Sequence, residues 1–276
     1  MITRRGKAHS LQSGTIEKVI SGYLMKSSNG ALPPLTVLQL SPSEALPCVY
    51  IATYPRSGTT WMLRSLIFLL GGQEAEVDSK NYSTHTLPLM SDSKIGFKHP
   101  IETNRPVIVK THLPNKLFFQ NCTHSRTIYI LRDGRDVLTS YYFFKQPRAW
   151  KRNPEEIRFD ADEFARELEV ESVKWAEHVS GWLKRPHVFF TAYETLKVNY
   201  AEEISAVTEY VGLPLKRTIK DAQVEFVDNF TPDNKFFRKG IIGDWQNYWD
   251  DRHKRIFKAK AGSVLMTLGY EKDNNW

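Results

Sequence analysis

Apolar runs and amphipathic segments alternate along this chain in a way that predicts an α/β sheet. Segments 49–53, 107–110, 127–131 and 187–191 are short, apolar almost throughout and rich in β-branched or aromatic residues. That is the pattern of parallel strands covered on both faces. Segments 59–70, 135–144, 161–183, 200–211 and 251–268 carry helical patterning. Asp160 or Asp162 is placed to cap the third helix, and Gly212-Leu213-Pro214 ends the fourth. The alternation argues for a central, mainly parallel sheet flanked by helices. No repeat, low-complexity tract or Pro/Gly/Ser linker divides the chain, so residues 1–276 read as a single domain that ends in the helix at 251–268. Stretches 71–106, 145–158 and 228–243 read as long loops, which in compact domains are commonly functional.

Composition narrows the partners. With 41% hydrophobic and 25% charged residues, the chain belongs to the ordinary globular class. A net charge of +7 suits anionic ligands without choosing among a nucleotide, a nucleic acid and a membrane surface. The basic residues are spread along the chain and no nucleic-acid signature is visible, so a nucleic-acid partner is not expected. The longest apolar run, 61–70, contains Arg64 and is too short to span a bilayer, so no membrane partner is expected. Residues 1–10 are basic but lack a following apolar core, so no secretory signal is expected. Cys48 and Cys122 make no disulfide framework, which favours a reducing, cytoplasmic setting. Without export, the sequons at Asn81, Asn121 and Asn229 carry no meaning. No His/Cys ligand cluster calls for a metal.

Candidate chemistry concentrates where strands end. Tyr54-Pro55-Arg56-Ser57-Gly58-Thr59-Thr60-Trp61 joins the first strand to the first helix. A helix N-terminus presents unpaired N–H groups and partial positive charge. Arg56 adds a cation, and Ser57, Thr59 and Thr60 add hydroxyl donors. The loop is suited to a phosphate or sulfate group; its bland alternative is a plain turn with an exposed Arg. It is not a Walker A sequence, which brackets four residues with two glycines before Lys and Ser/Thr. An ATP- or GTP-dependent enzyme thus loses its main support.

Lys110-Thr111-His112-Leu113-Pro114 follows the second strand and places His112 with Arg56 at the edge where ligands bind in open α/β sheets. A His of near-neutral pKa can take a proton from a hydroxyl; a His satisfied by backbone is the alternative. After the third strand come Arg132, Asp133, Gly134, Arg135, Asp136 and, further on, Ser140. Arg132 and Ser140 could reach a second phosphate, while Arg135 and Asp136 could instead form a structural ion pair. Arg238-Lys239-Gly240, followed by Gly243-Asp244-Trp245, offers two cations and a close backbone approach, or else a solvated basic turn. Several anion-type loops together suggest a ligand with more than one anionic group.

These four motifs, in this order across about residues 48–250, resemble the soluble, cytosolic-type sulfotransferases. Members transfer a sulfuryl group from 3′-phosphoadenosine 5′-phosphosulfate (PAPS) to a small acceptor and release the bisphosphate PAP. The resemblance implies a P-loop-like fold and no metal. It implies that Ser57, Gly58, Thr59 and Thr60 cradle the 5′-phosphosulfate and that His112 is the general base. Arg132, Ser140, Arg238, Lys239 and Gly240 would hold the 3′-phosphate. Trp61 would stack on adenine, with simple helix core as its alternative; Tyr193 resembles an adenine-contacting Tyr and Phe226 a second adenine platform. One departure is clear. The family usually carries Lys where this chain has Arg56, a permanent cation that binds an oxyanion bidentately but donates a proton poorly. Arg56 is therefore expected to stabilise charge, and a contribution from Lys110 stays open. No family-type dimerisation motif is recognisable, which leaves the oligomeric state open.

For the acceptor, Tyr141, Tyr142, Phe143, Phe144 and Trp150 could form an apolar or cation-binding pocket, or could bury one helix face as core. His85, with Asp92 and His99 in the polar stretch 78–101, leans toward a polar acceptor. The acceptor is expected to be a small hydroxylated molecule, or an amine. Two rivals remain: a P-loop kinase-like phosphotransferase and a non-catalytic PAP-binding module, the latter opposed by the presence of His112.

Overall fold

The computed structural model describes residues 47–77, 95–97, 105–117, 125–146, 158–222, 240–273 and 275–276. Its strands are β1 (Cys48–Thr53), β2 (Gln73–Val77), β3 (Ile95–Phe97), β4 (Val107–Thr111), β5 (Ser125–Leu131) and β6 (Val188–Ala192). They form one sheet in the order β3-β2-β4-β1-β5-β6, parallel throughout except for β3 at the edge. The helices are α1 (Thr59–Leu70), α2 (Gly134–Lys145), α3 (Ala161–Leu183), α4 (Tyr193–Val198), α5 (Tyr200–Val211) and α6 (Asp251–Thr267).

The continuous apolar character of β1 has a direct cause: all six of its residues are buried, because both sheet faces are covered. Tyr50, Ala52, Val109 and Tyr129 face a cluster built from Phe164, Trp175 and Trp182 of α3 and Phe257 and Leu265 of α6. Val49, Ile51, Ile108 and Ile128 face Met62 and Leu66 of α1 and Ile204 and Val207 of α5. Burying each such aliphatic side chain contributes about 1.5–3 kcal/mol. Local signals set the helix ends. Asp160, rather than Asp162, caps α3 by accepting from the Glu163 N–H at 2.8 Å. Gly212 closes α5 with φ +69°, and Asp250 and His253 cap α6 reciprocally.

One expectation is corrected. The stretch 71–106, read as loop, contains β2 and β3. The sequence Gln73-Glu74-Ala75-Glu76-Val77 has no apolar run; pairing with β4 supplies the strand, a tertiary effect that overrides local pattern. Helix α4 begins at once where β6 ends, with no loop between them. Strands β1, β4, β5 and β6 all run in one direction, so the residues following Thr53, Thr111, Leu131 and Ala192 emerge at a single sheet edge. Among the described residues, no helix is long and apolar enough to cross a membrane.

Candidate active site

The turn after β1 is unusual in its backbone. Arg56 adopts φ +73° and Gly58, the N-cap of α1, φ +100°. Left-handed backbone is uncommon for a residue with a Cβ and marks a position held by its surroundings. At Gly58 the need is also steric, because a Cβ there would lie 2.8 Å from Cδ2 of Tyr193. The Trp61 N–H donates back to the Gly58 carbonyl at 3.1 Å, which starts the helix and leaves the N–H groups of Thr59 and Thr60 without intrahelical acceptors. Arg56 Nε donates to Ser140 Oγ (3.2 Å) while its guanidinium lies 4.7 Å above the Phe144 ring. The Arg56 carbonyl accepts from Arg132 Nη1 at 2.9 Å. The first and third sequence motifs are thus bonded to each other.

His112 sits just beyond β4. Its Nδ1 is 3.0 Å from the Thr53 carbonyl and 3.1 Å from Thr53 Oγ1. A carbonyl can only accept, so Nδ1 carries the hydrogen and Nε2 keeps the lone pair. Burial holds the His112 pKa below its ordinary value; the Thr53 backbone bond opposes this, and the Lys110 and Arg56 charges add to it. Helix α3 grips the segment from behind. His178 Nε2–H donates to the His112 carbonyl (3.2 Å), and Trp182 Nε1–H, one turn on, donates to the Leu113 carbonyl (3.0 Å). Because His178 Nε2 faces a carbonyl, its Nδ1 accepts, and the Tyr129 hydroxyl donates to it at 2.8 Å. Burial pushes the His178 pKa down to about 3. Asn115 continues the attachment by donating to the Gly181 carbonyl at 2.8 Å.

A second cluster forms where β5 and β6 end. Arg132 is 7% exposed, its guanidinium stacks 4.2 Å above the Tyr193 ring, and its Nε has no hydrogen-bond partner among the described residues. The Tyr193 hydroxyl donates to the Gly240 carbonyl at 3.1 Å, and Lys197 Nζ donates to the same carbonyl. The alternative reading of an Arg135–Asp136 ion pair is corrected. Arg135 pairs instead with Asp133 (2.8 Å) and Glu271 (2.6 Å), between the rings of Trp245 and Trp276. The Asp136 carboxylate accepts the N–H groups of Gly243 (2.7 Å) and Trp245 (3.0 Å) and so anchors the C-terminal loop to α2. Burial, then the neighbouring Asp133 charge, raises the Asp136 pKa to about 6. Glu194, raised by burial to about 7, joins the Asp133 N–H to the Tyr270 hydroxyl.

Among the remaining sequence candidates, His85, Trp150, Phe226, Arg238 and Lys239 lie outside the described residues. Trp61 is buried in the core, stacked on Tyr200 (5.6 Å, 6°), and also meets Tyr193 edge-on at 5.9 Å. Tyr142 and Phe143 follow the packing alternative and not the acceptor-wall expectation. Both are buried among Phe159, Phe164 and Tyr248, and the Tyr142 hydroxyl donates to Glu163 at 2.9 Å. Phe144 lies on the other side of the helix, under Arg56. Sequence reasoning missed Thr53, Tyr129, His178, Trp182 and Glu194. The four-residue spacing of His178 and Trp182 signals one helix face, but no local pattern pairs that face with residues 112–113. Among the described residues, no group of three His, Cys, Asp or Glu is placed to hold a metal.

A family model described as "Sulfotransferase domain" matches residues 46–266. Sulfotransferase 1E1 of Bos taurus is 29% identical over 230 residues, covering 72% of this chain and 77% of the relative. Sulfotransferase 1B1 of Canis lupus familiaris is 28% identical over 261 residues, covering 81% and 86%. The solved structure of mouse sulfotransferase SULT7A1 complexed with PAP superposes with a TM-score of 0.53 at 18% identity, covering 82% of this chain and 89% of that one. Retinol dehydratase in a complex with retinol and PAP gives 0.53 at 20% identity, covering 79% and 81%. At these identities the structural likeness is one of fold.

Proposed function

The chain belongs to the sulfotransferase family, and on that premise we propose that one catalytic domain transfers a sulfuryl group from PAPS to a small-molecule hydroxyl, or an amine, with His112 as general base. The observation that carries the assignment of His112 is its tautomer. With Nδ1–H committed to the Thr53 carbonyl, Nε2 is the basic atom, and burial keeps the ring neutral and able to accept a proton.

The residues present fit the donor. Gly58 leaves no Cβ between the loop and Tyr193, and Arg132 is a buried cation whose Nε lacks a partner among the described residues. When bound, PAPS supplies the sulfuryl group and departs as PAP. Ser57, Gly58, Thr59 and Thr60 hold its 5′ end by helix N–H and hydroxyl donors. Arg132, Ser140 and Gly240, with Arg238 and Lys239, hold the 3′-phosphate, and Tyr193 and Trp61, with Phe226, flank adenine. Arg56 stabilises developing negative charge with a delocalised guanidinium and does not deliver a proton. Lys110 acts through its field, which favours the neutral form of His112. His112 Nε2 takes the acceptor proton, and the Thr53 carbonyl then stabilises the imidazolium through Nδ1–H. Positioning and fixed charge carry most of the acceleration, as in phosphoryl transfer.

A small hydroxylated acceptor is in keeping with the retinol-bound structural neighbour. Phe144, with Trp150 and His85, is proposed to border its pocket. A reducing cytoplasmic setting, argued from the two-cysteine composition, completes the reading.

The test is a mass-spectrometric screen of PAPS with pooled phenols, alcohols and amines, without added metal, run beside His112→Ala. A product heavier by one SO3 is expected from the parent, and turnover lower by about two to four powers of ten from the variant. Equal turnover in the two proteins removes His112 as the base. Phosphate transfer from ATP with magnesium, and no SO3 product, would favour the kinase-like alternative.

A further inference from the structure

Thr53 closes β1 and is fully buried, yet its side chain is bonded on both sides. Oγ1 lies 2.6 Å from Thr59 Oγ1 in the first turn of α1 and 3.1 Å from His112 Nδ1. One hydrogen arrangement links the anion loop, this buried hydroxyl and the base in a single direction. In it Nδ1–H, which faces the Thr53 carbonyl at 3.0 Å, shares its hydrogen with Oγ1 at 3.1 Å. Oγ1, accepting there, sends its own proton to Thr59 Oγ1. Thr59 Oγ1, accepting in turn, must direct its proton elsewhere, and it opens the helix whose N-terminus faces the proposed anion.

We propose that Thr53 is a positioning residue whose hydroxyl couples the anion loop to the base through a one-way chain, His112 Nδ1–H to Thr53 O–H to Thr59 O–H. This rests on the sulfotransferase reading, because that reading supplies the anion at Thr59. Hydrogen bonds in a low-dielectric interior polarise one another. An anion accepting from Thr59 makes Thr59 Oγ1 a stronger acceptor. Thr53 O–H is then more polarised, and Oγ1 draws Nδ1–H more strongly. The imidazole is held in its reactive tautomer most firmly when the donor is in place. Lys110 of β4, Arg56 of the loop and His178 of α3 also act on or contact His112.

The experiment uses full-length protein with 15N-labelled histidine at constant pH and follows the His112 Nδ1–H resonance, identified by its loss in His112→Ala. Adenosine 3′,5′-bisphosphate should move this proton downfield in the parent. In Thr53→Val the move should vanish although the bisphosphate still raises the melting temperature, and Thr53→Ser should restore it. Turnover in Thr53→Val should fall about tenfold, the worth of one hydrogen bond, with KM for PAPS within about twofold of the parent. If the Val variant does not fold, Thr53→Ala deletes the same hydroxyl. An undiminished proton shift in a folded hydroxyl-deletion variant, or failure of Ser to restore it, overturns the coupling while leaving the sulfotransferase reading intact. A bisphosphate that does not bind the parent overturns that reading, and the coupling with it.

Discussion

Gly58→Ala is the substitution whose consequence the geometry defines most closely. The new methyl would meet Tyr193 Cδ2 at 2.8 Å and Cε2 at 3.5 Å. The ring cannot simply turn aside, because Arg132 stacks on it at 4.2 Å, its hydroxyl holds the Gly240 carbonyl at 3.1 Å, and Trp61 meets it edge-on. Forcing φ +100° on alanine costs about 1–2 kcal/mol, and overpacking against a held ring adds about 1–3 kcal/mol. A loss of about 2–5 kcal/mol corresponds to a melting point lower by roughly 5–15 °C for a domain of this size. Displacing Tyr193 also displaces Arg132, so affinity for the bisphosphate should fall by at least about tenfold. Urea unfolding and isothermal titration calorimetry measure the two effects. A double-mutant cycle separates their causes: in a Tyr193→Ala background, Gly58→Ala should retain only the backbone cost, giving a coupling of about 1–3 kcal/mol. A Gly58→Ala protein with parental stability and affinity, or a strictly additive cycle, would refute the argument.

Other consequences are more local. Arg132→Ala removes a buried, stacked cation and should weaken bisphosphate binding by about 10- to 100-fold; unchanged affinity in calorimetry would exclude a phosphate role for Arg132. Asp136→Asn leaves one acceptor oxygen for the two N–H groups of Gly243 and Trp245, at a cost of about 1–3 kcal/mol; a parental midpoint in urea would show that this anchor is dispensable. For pH, burial lowers the His178 pKa from 6.5 to about 3. An unfolded chain then binds a proton below pH 6.5 that the folded one refuses. The His178 contribution is complete above pH 6.5 and lost as pH falls, by about 2 kcal/mol at pH 5. Glu194 and Asp136 act with the opposite sign, since their raised acid pKa values give contributions lost as pH rises through about 7 and about 6. The His178 effect is therefore read as the parent-minus-His178→Phe stability difference, expected to shrink by about 2 kcal/mol from pH 7.5 to pH 5; a flat difference would contradict it.

Much of this protein is written locally. Parallel strands covered on both faces are apolar at most positions, so β1, β4, β5 and β6 announce themselves, and capping residues such as Asp160 and Gly212 fall next to the patterns they end. Once the strands are parallel, the residues after each one share an edge, so the convergence of Arg56, His112, Arg132 and Tyr193 follows from chain order alone. Strand β2 escaped because its stability comes from a neighbour and not from its own composition. The chemistry of the site depends on contacts between residues far apart in sequence, and those only the tertiary structure decided. His112 bonds to Thr53, so its tautomer is set fifty-nine positions away. Arg135 turns from Asp136 to Glu271, freeing Asp136 to hold Gly243 and Trp245. Tyr142 and Phe144, two residues apart, take opposite roles because a helix turns about 100° per residue, and only its packing decides which side meets core and which meets Arg56.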